Sequence, residues 1–457
     1  MGRNGFVEPV TETEPAVPPF SEALLVWLKL GLIGFGGPAG QIALMHRIVV
    51  DEKRWIDEAR FLHALNYCML LPGPEAQQLA VYLGWLLHRT LGGLAAGILF
   101  VLPGAAVMLA LSAVYVRYAA LPAVEGLFWG LKAAVLAVVI EAVLRLGRRA
   151  LRRPAGRAIA AASFFGICFL GLPFPLIIAA AAAVGLLGAC LRPGLFAAER
   201  GSGDSPAPAA PDCIAAPGDA PVSVRRWLAA LALGLALWFA PTLTAAMLGG
   251  TPAFTDIGVF FSKMAVVTFG GAYAVLSYVA QQAVDHYGWL SPGEMLTGLG
   301  LAETTPGPLI LVVQFVAFLG AYRHPGTLDP MTAGVLGSLL ATWATFAPCF
   351  LWIFLGAPFI ERLRYRQGLN AAMAAISAAV VGVIVNLAFW FALHVLFAGI
   401  SERHFGPLRI AIPDPSTLDP WALLVAAAAL LAMLRFAVGM LPTLAAAALA
   451  GMALRLV

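Results

Sequence analysis

The sequence predicts an all-α polytopic membrane protein made of two homologous halves. The halves form an inverted repeat with Gly/Pro-broken helices and about thirteen membrane segments. Three observations lead there. Hydrophobic residues make up 61% of the 457-residue chain and charged residues 11%, against about 25% charge in a soluble domain. Uncharged runs at 91–116, 158–191, 227–255, 331–360 and 371–393 exceed the roughly 20 residues that cross a hydrocarbon core. Landmarks also recur at one offset of 234 residues. Phe35-Gly36-Gly37 returns as Phe269-Gly270-Gly271 and Pro72-Gly73-Pro74 as Pro306-Gly307-Pro308. Asp51 and Trp55 return as Asp285 and Trp289, and Lys29 as Lys263. A membrane unit duplicated with its breaks in register is the pattern of a secondary transporter, whose site lies where the repeats meet.

Residues 1–19 form an N-terminal tail. They carry Glu8, Glu12, Glu14 and several prolines and lack a basic segment before an apolar core, so no signal peptide is expected. Residues 20–192 form the first membrane domain. A helix over 24–49 is broken at the Phe-Gly-Gly, and a polar turn with an acid and Trp55 follows. A short helix then ends at the Pro-Gly-Pro, a new helix starts there, and long spans complete the half. The run 158–191 suffices for two crossings, with its break at Gly171-Leu172-Pro173. Residues 193–224, rich in Pro, Ala, Gly and Ser, form a disordered cytoplasmic linker. Residues 225–457 form the second domain, with an extra leading helix at 227–248. An insertion near 322–334 ends the constant offset, so Pro103 pairs with Pro348. Whether the short helices at 56–70 and 292–304 span fully stays open at the level of the sequence.

Lysine and arginine set the orientation. The loop 145–157 carries six arginines and is expected in the cytoplasm, whereas its counterpart at 400–414 has Arg403 and Arg409 balanced by Glu402 and Asp414. The basic cluster of the second half, Arg362, Arg364 and Arg366, comes one span earlier. Arg47, Lys53 and Arg54 follow the first broken helix, and no lysine or arginine stands at the matching place near Asp285. The bias switches sides, so the repeats are inverted, and the odd crossing at 227–248 supplies the parity. The net charge of +4 belongs to this topology and implies no nucleic-acid partner; the partner of the chain is the lipid bilayer. Five scattered cysteines without CxxC spacing indicate neither a disulfide frame nor a metal site. No cofactor is implied.

The chemistry lies at the breaks. Pro38 after the glycines suits the first turn of a new helix, as does Pro74. Free N–H groups at such a start, with the helix dipole, make an anion site. With both devices duplicated, four helix starts are expected to converge on one anion near the midplane. Lys29 and Lys263, inside apolar helices, are expected to balance a dianion. Gln77 and Gln78 offer amide donors to oxyanion oxygens. Glu75, Glu303 and His46 are the candidates for proton coupling. Leu309 and Val312 replace Glu75 and Gln78 in the second half, so the site is asymmetric. Gln314, Lys132, Glu125, Glu141, His88 and Arg89 are read as structural or interfacial, and Trp55 and Trp289 as interface anchors.

Gly34-Phe35-Gly36-Gly37-Pro38, with Gln41, His46, Trp55, Leu71-Pro72-Gly73-Pro74, Gln77 and Gln78, closely resembles the first half of the chromate ion transporter (CHR) family. Thr268-Phe269-Gly270-Gly271 through Thr305-Pro306-Gly307-Pro308 resembles that family's second domain. The resemblance covers most of the chain outside the tail and linker. It implies chromate efflux across the bacterial inner membrane, powered by the proton-motive force and giving chromate resistance. The family's short members work as pairs, and a homodimer of this long chain is an expectation of the same kind. Ala272 and Ala280 stand where the first half has Pro38 and His46, so the halves are not equivalent. Two alternatives stay open: a transporter or channel for sulfate or another tetrahedral oxyanion, and a membrane-embedded enzyme acting on a lipid phosphate through Asp51, Glu52 and His46.

Overall fold

Each half begins with a helix that enters the membrane layer, breaks, and returns to the side it came from. The computed structural model describes residues 17–191, 223–247, 252–269, 271–356 and 367–456. Most of the tail and linker, Gly270 and the cluster Arg362, Arg364 and Arg366 lie outside the described residues. α1 (Phe20–Ile33) gives way at Gly34–Gly36 to α2 (Gly37–His46), which runs on through a π-helical turn at Arg47–Glu52. Lys53 Nζ donates to Glu22 at 2.7 Å. Thirty-one residues of straight helix would hold these two about 46 Å apart, so α1 and α2 form a re-entrant hairpin. α3 (Glu58–Cys68) and the first arm of α4 (Glu75–Tyr118) make the second hairpin, with the Pro-Gly-Pro at its inner tip.

α4 is not one straight rod. His88 and Arg89 leave helical geometry, Arg89 with φ 54°, and the two arms fold back on each other. A Cβ on Gly84 would lie 2.5 Å from the Gly92 carbonyl oxygen, an approach only glycine permits. The first arm returns to the starting side, where His88 Nε2 lies 2.8 Å from the Pro18 carbonyl oxygen. The second arm crosses fully. α5 (Pro122–Ala150), α6 (Pro154–Leu170) and α7 (Phe174–Leu191) follow as further crossings, and α8 (Val224–Met247) is the extra one.

The second half repeats the plan. α9 (Pro252–Val267) and α10 (Ala272–Gln281), with a π-helical turn at Gln282–His286, form its first hairpin. Phe260 packs edge-to-face against Tyr287 and Trp289 across that hairpin. α11 (Pro292–Thr304), a 3-10 turn at Leu309–Leu311 and α12 (Val312–Arg323) form the second. α13 (Pro330–Gly356), α14 (Gln367–Leu396), α15 (Pro420–Arg435) and α16 (Met440–Leu456) correspond to the second arm of α4, α5, α6 and α7. The short antiparallel pair β1 (Ile400–Phe405) and β2 (Leu408–Pro413) caps the link from α14 to α15.

The repeat reaches single hydrogen bonds. Lys53 N–H donates to Ile48 and Trp55 N–H to Val49, and Tyr287 N–H to Gln282 and Trp289 N–H to Ala283, each pair shifted by 234. Asp57 caps α3 and Ser291, at the same offset, caps α11 with a full capping box. Proline 103 packs beside Gly31, and Gly104 and Cys349 touch Pro306 and Gly73 respectively, which confirms the pairing of Pro103 with Pro348.

The halves enter from opposite faces. The first half's hairpins open to the face that carries Arg148, Arg149 and Arg152 at the end of α5, here termed the basic face. At the other end of the crossing helices, Tyr115 donates to Glu294 at the start of α11 (3.4 Å), and Trp129 Nε1 donates to Asp419 at the start of α15 (3.1 Å). Arg323 at the tip of α12 pairs with Glu294 on that same face. Among the described residues six helices are long and apolar enough to cross a membrane, and α4 is the one whose two arms double back. The fold is an all-α polytopic bundle with two homologous halves. We expect cysteines introduced at Arg149 and at Ser401 to react with a membrane-impermeant reagent from opposite sides of oriented vesicles; labelling of both from one side contradicts the inversion.

Candidate anion site at the helix breaks

Four helix starts, two from each half, face one small cavity at the inner tips of the hairpins. Pro38 and Gln41 come from α2, Pro74, Glu75 and Ala76 from α4, Gly271 and Ala272 from α10, and Pro308, Leu309 and Ile310 from the 3-10 turn before α12. The space is about 10 Å³, room for about one water. The breaks are built from residues that tolerate unusual backbone. Gly36, Gly73, Gly271 and Gly307 all have positive φ, from 89° to 127°, where a side chain would be strained.

Two reciprocal hydrogen bonds join the halves here. Gly73 N–H donates to Thr268 O at 2.8 Å, and Gly307 N–H donates to Gly34 O at 3.0 Å. Each Pro-Gly-Pro loop thus closes on the broken helix of the other half, as a pseudo-two-fold requires. One side-chain link has no counterpart. Gln41 Nε2 donates to both Gly34 O and Gly307 O, and Val275 occupies the matching position. Because two carbonyls fix the amide nitrogen, the Gln41 oxygen is left without a partner among the described residues.

Amides line the region behind the helix starts. Gln78 is fully buried and donates to Pro72 O at 2.7 Å. Gln77 and Gln314 are also fully buried, and neither amide has a partner among the described residues. Glu75 reaches the cavity at the first turn of α4. Glu303, 3% exposed, accepts from the Tyr273 hydroxyl. The site therefore offers helix-start N–H groups and amides to an anion, with two acids beside them.

A family model described as "Chromate transporter" matches residues 21–186 and again 255–452. The chain belongs to the chromate transporter family. A "Chromate transport protein" of Pseudomonas aeruginosa is 32% identical over 385 residues, covering 81% of each chain. A protein of the same description from Cupriavidus metallidurans is 29% identical over 373 residues, covering 80% of each. A "Probable chromate transport protein" of Synechococcus elongatus is 28% identical over 372 residues, with 79% of this chain and 82% of the relative covered. No solved structure matches the chain. With the family comes its class: a multi-pass membrane transporter of an anion, and not an enzyme.

The predicted site residues divide into three groups. Pro38, Pro74, Glu75, Gly271 and Pro308 line the cavity. Gly36, Gly37, Pro72, Gly73, Pro306, Gly307, Gln77 and Gln78 stand at or beside the breaks without lining the cavity, and Phe35 turns the chain through a bond from its N–H to Ile33 O at 3.0 Å. Lys29 and Lys263 do not join them, and the expectation that they balance the anion is corrected. Lys29 shares its exposed helix face with Leu25 and Leu32, and Lys263 with Val259 and Val266. The buried faces of α1 and α9 carry instead Trp27 and Leu30, and Phe261 and Met264. A lysine on an outward apolar stripe extends its stem along that surface and keeps its charge at the interface. His46 is likewise outside the cavity. It closes α2 on the basic face, where its ring is 2.5 Å from Glu58 and 3.4 Å from Asp51.

Gln41 and Tyr273 are the residues that sequence reasoning did not single out for the site. Gln41 follows Pro38 by one turn, a spacing that puts it on the same helix-start face, and that signal was present. Tyr273 has none: Ala39 stands at the matching place in the first half. Two outcomes are expected. Gln41→Val removes a donor from two buried carbonyls and should cost about 1–3 kcal/mol, seen as a lower unfolding midpoint in detergent. Lys29→Met and Lys263→Met should leave the half-saturation for transported anion within about twofold, the range of a surface change; a loss of transport in either would return the lysines to the site.

Proposed function

We propose that this protein exports chromate from the cytoplasm across a bacterial inner membrane, drawing on the proton-motive force, and so confers chromate resistance. The observation that carries the reading is the meeting of four helix starts from two inverted halves at one cavity, in a chain of the chromate transporter family. Chromate is a tetrahedral dianion. Helix-start N–H groups attract negative charge and donate to its oxygens without bringing a full positive charge into the membrane. Neutral amides such as Gln77 and Gln78 add donors at low electrostatic cost.

Transport follows from the geometry. A five-atom anion does not fit a space of one water, so the walls must separate to load it. Each Pro-Gly-Pro loop is held to the opposite half by a single backbone hydrogen bond, worth about 0.5–1.5 kcal/mol net. The first half's hairpins open toward the basic face and the second half's toward the other. Rocking one hairpin pair while the other stays closed exposes the cavity to one face at a time. Arginine-rich loops are retained in the cytoplasm, which makes the basic face the loading side. Glu75 and Glu303 are the acids placed to link the anion to protons. His46 is engaged at the surface by Glu58 and Asp51 and is left out of this role.

The test is radiolabelled chromate uptake into everted membrane vesicles, with sulfate as competitor. Uptake should depend on the protein, collapse with a protonophore, and be lost in Gly307→Ala, whose backbone at φ 94° would be strained by about 1–3 kcal/mol. Uptake no greater than that of vesicles lacking the protein would sink the proposal. Sulfate uptake that saturates at lower concentration than chromate would reassign the substrate.

A further inference from the structure

Among the described residues Glu303 is the one fully ionisable acid with almost no exposed surface. It stands on the last turn of α11, three residues before Pro306. Its partner is a hydroxyl and not a cation: Tyr273 Oη donates to it. Tyr273 is the second residue of α10, next to Ala272 and Gly271 of the cavity wall. The pair therefore lies directly behind the wall and ties the start of α10 to the end of α11. The charged groups that act on it are Arg145 and Glu141 of α5. These two pair with each other at 2.5 Å and are partly exposed, five and nine residues from the end of α5 at the basic face.

We propose that the Tyr273–Glu303 pair is a proton site that fills together with the anion cavity, so that the anion leaves with a proton and a reduced net charge. The inference rests on the cavity being the anion site. Ionised, Glu303 accepts from Tyr273. Protonated, it is neutral and still accepts from Tyr273 through its carbonyl oxygen, so the hydrogen bond survives either state. An anion one wall away repels an ionised Glu303, because the acid is buried and poorly screened by solvent. The anion and the proton therefore favour each other's binding, and by linkage the effect is reciprocal. The proton comes from water on the basic face, past the Arg145–Glu141 pair, and no other co-reactant is required. A dianion carrying one proton still moves a single negative charge outward, which the membrane potential favours, while the proton leaves against its own concentration gradient, so the electrical part of the proton-motive force is the drive.

The asymmetry of the repeat supports one such site. Met69 and Ala39 occupy the places of Glu303 and Tyr273 in the first half. Glu75, by contrast, faces the cavity itself, where it meets the anion directly.

The decisive variants are Glu303→Gln, a neutral mimic of the protonated acid, and Tyr273→Phe. Purified wild-type protein should take up protons when chromate is added under alkaline conditions in which chromate is wholly the dianion, and its half-saturation for chromate should rise with pH. Glu303→Gln should bind chromate without proton uptake and with a half-saturation that no longer depends on pH. Tyr273→Phe should keep the dependence with its midpoint displaced. Proton uptake of wild-type size in Glu303→Gln, or proton release by the wild type, overturns the proposal. So does loss of chromate binding in a folded Glu303→Gln, which would make Glu303 part of the anion site. If Glu303→Gln does not fold, an unchanged pH profile in Tyr273→Phe overturns it equally. Infrared spectra taken without any anion separate this inference from the one beneath it. The wild type should show a protonated-carboxyl stretch across a pH titration that is perturbed in Tyr273→Phe, and an unperturbed spectrum refutes the pair. Absence of saturable chromate binding by the wild type refutes the anion site, while the spectra still decide the pair.

Discussion

A broken helix inside a membrane leaves backbone N–H and C=O groups where water cannot satisfy them, and each such group costs several kcal/mol if left alone. The arrangement of this protein follows from how that demand is met. The first half's free carbonyl at Gly34 is taken by Gly307 N–H of the second half, and the second half's at Thr268 by Gly73 N–H of the first. Gln41 Nε2 adds a bond to Gly34 O from within the first half, but the backbone bonds at both breaks come from the opposite half. The two must meet at their inner tips, and the helix starts released by the breaks are thereby gathered around one cavity.

The same constraint explains the glycines and small residues around the tips. Gly104 lets α4 approach the Pro306 carbonyl, where a Cβ would lie 2.2 Å away. Close approach of this kind is how membrane helices gain packing energy when there is no water to exclude. At the periphery the rule continues: a Cβ on Gly130 would lie 2.0 Å from the Ala447 carbonyl oxygen, where α5 meets α16. Those contacts fix the crossing helices as a frame. The hairpins meet at their tips through one backbone hydrogen bond each, with the Gln41 amide added at one of them.

Duplication gave symmetry of backbone, and divergence removed symmetry of side chains. Gln41 clamps one break and Val275 leaves the other to the backbone alone. Glu75 faces Leu309 across the cavity, and Tyr273–Glu303 has no partner pair. The two halves therefore share a backbone plan and differ in the few side chains that face or back the cavity.

Composition and the 234-residue offset determined the membrane class, the two homologous halves and the positions of the breaks, because the membrane demands long apolar runs and a break demands Gly and Pro. The switch in arginine bias determined their inversion. The family resemblance rested on the same motifs. What only the tertiary structure decided is which groups meet. Sequence gives a residue's place along a helix and not which face looks inward. Lys29 and Lys263 sit in apolar helices as expected, yet their helices turn Trp27 and Phe261 inward and the lysines outward. His88-Arg89, a helix junction by sequence, is a hairpin tip at which the two arms of α4 fold back on each other, a geometry that no proline or glycine in the turn announces. Gln41 reaching Gly307 spans 266 residues, and Tyr273 reaching Glu303 joins two hairpins. The first of these contacts arises only when the two halves close on each other's broken backbone.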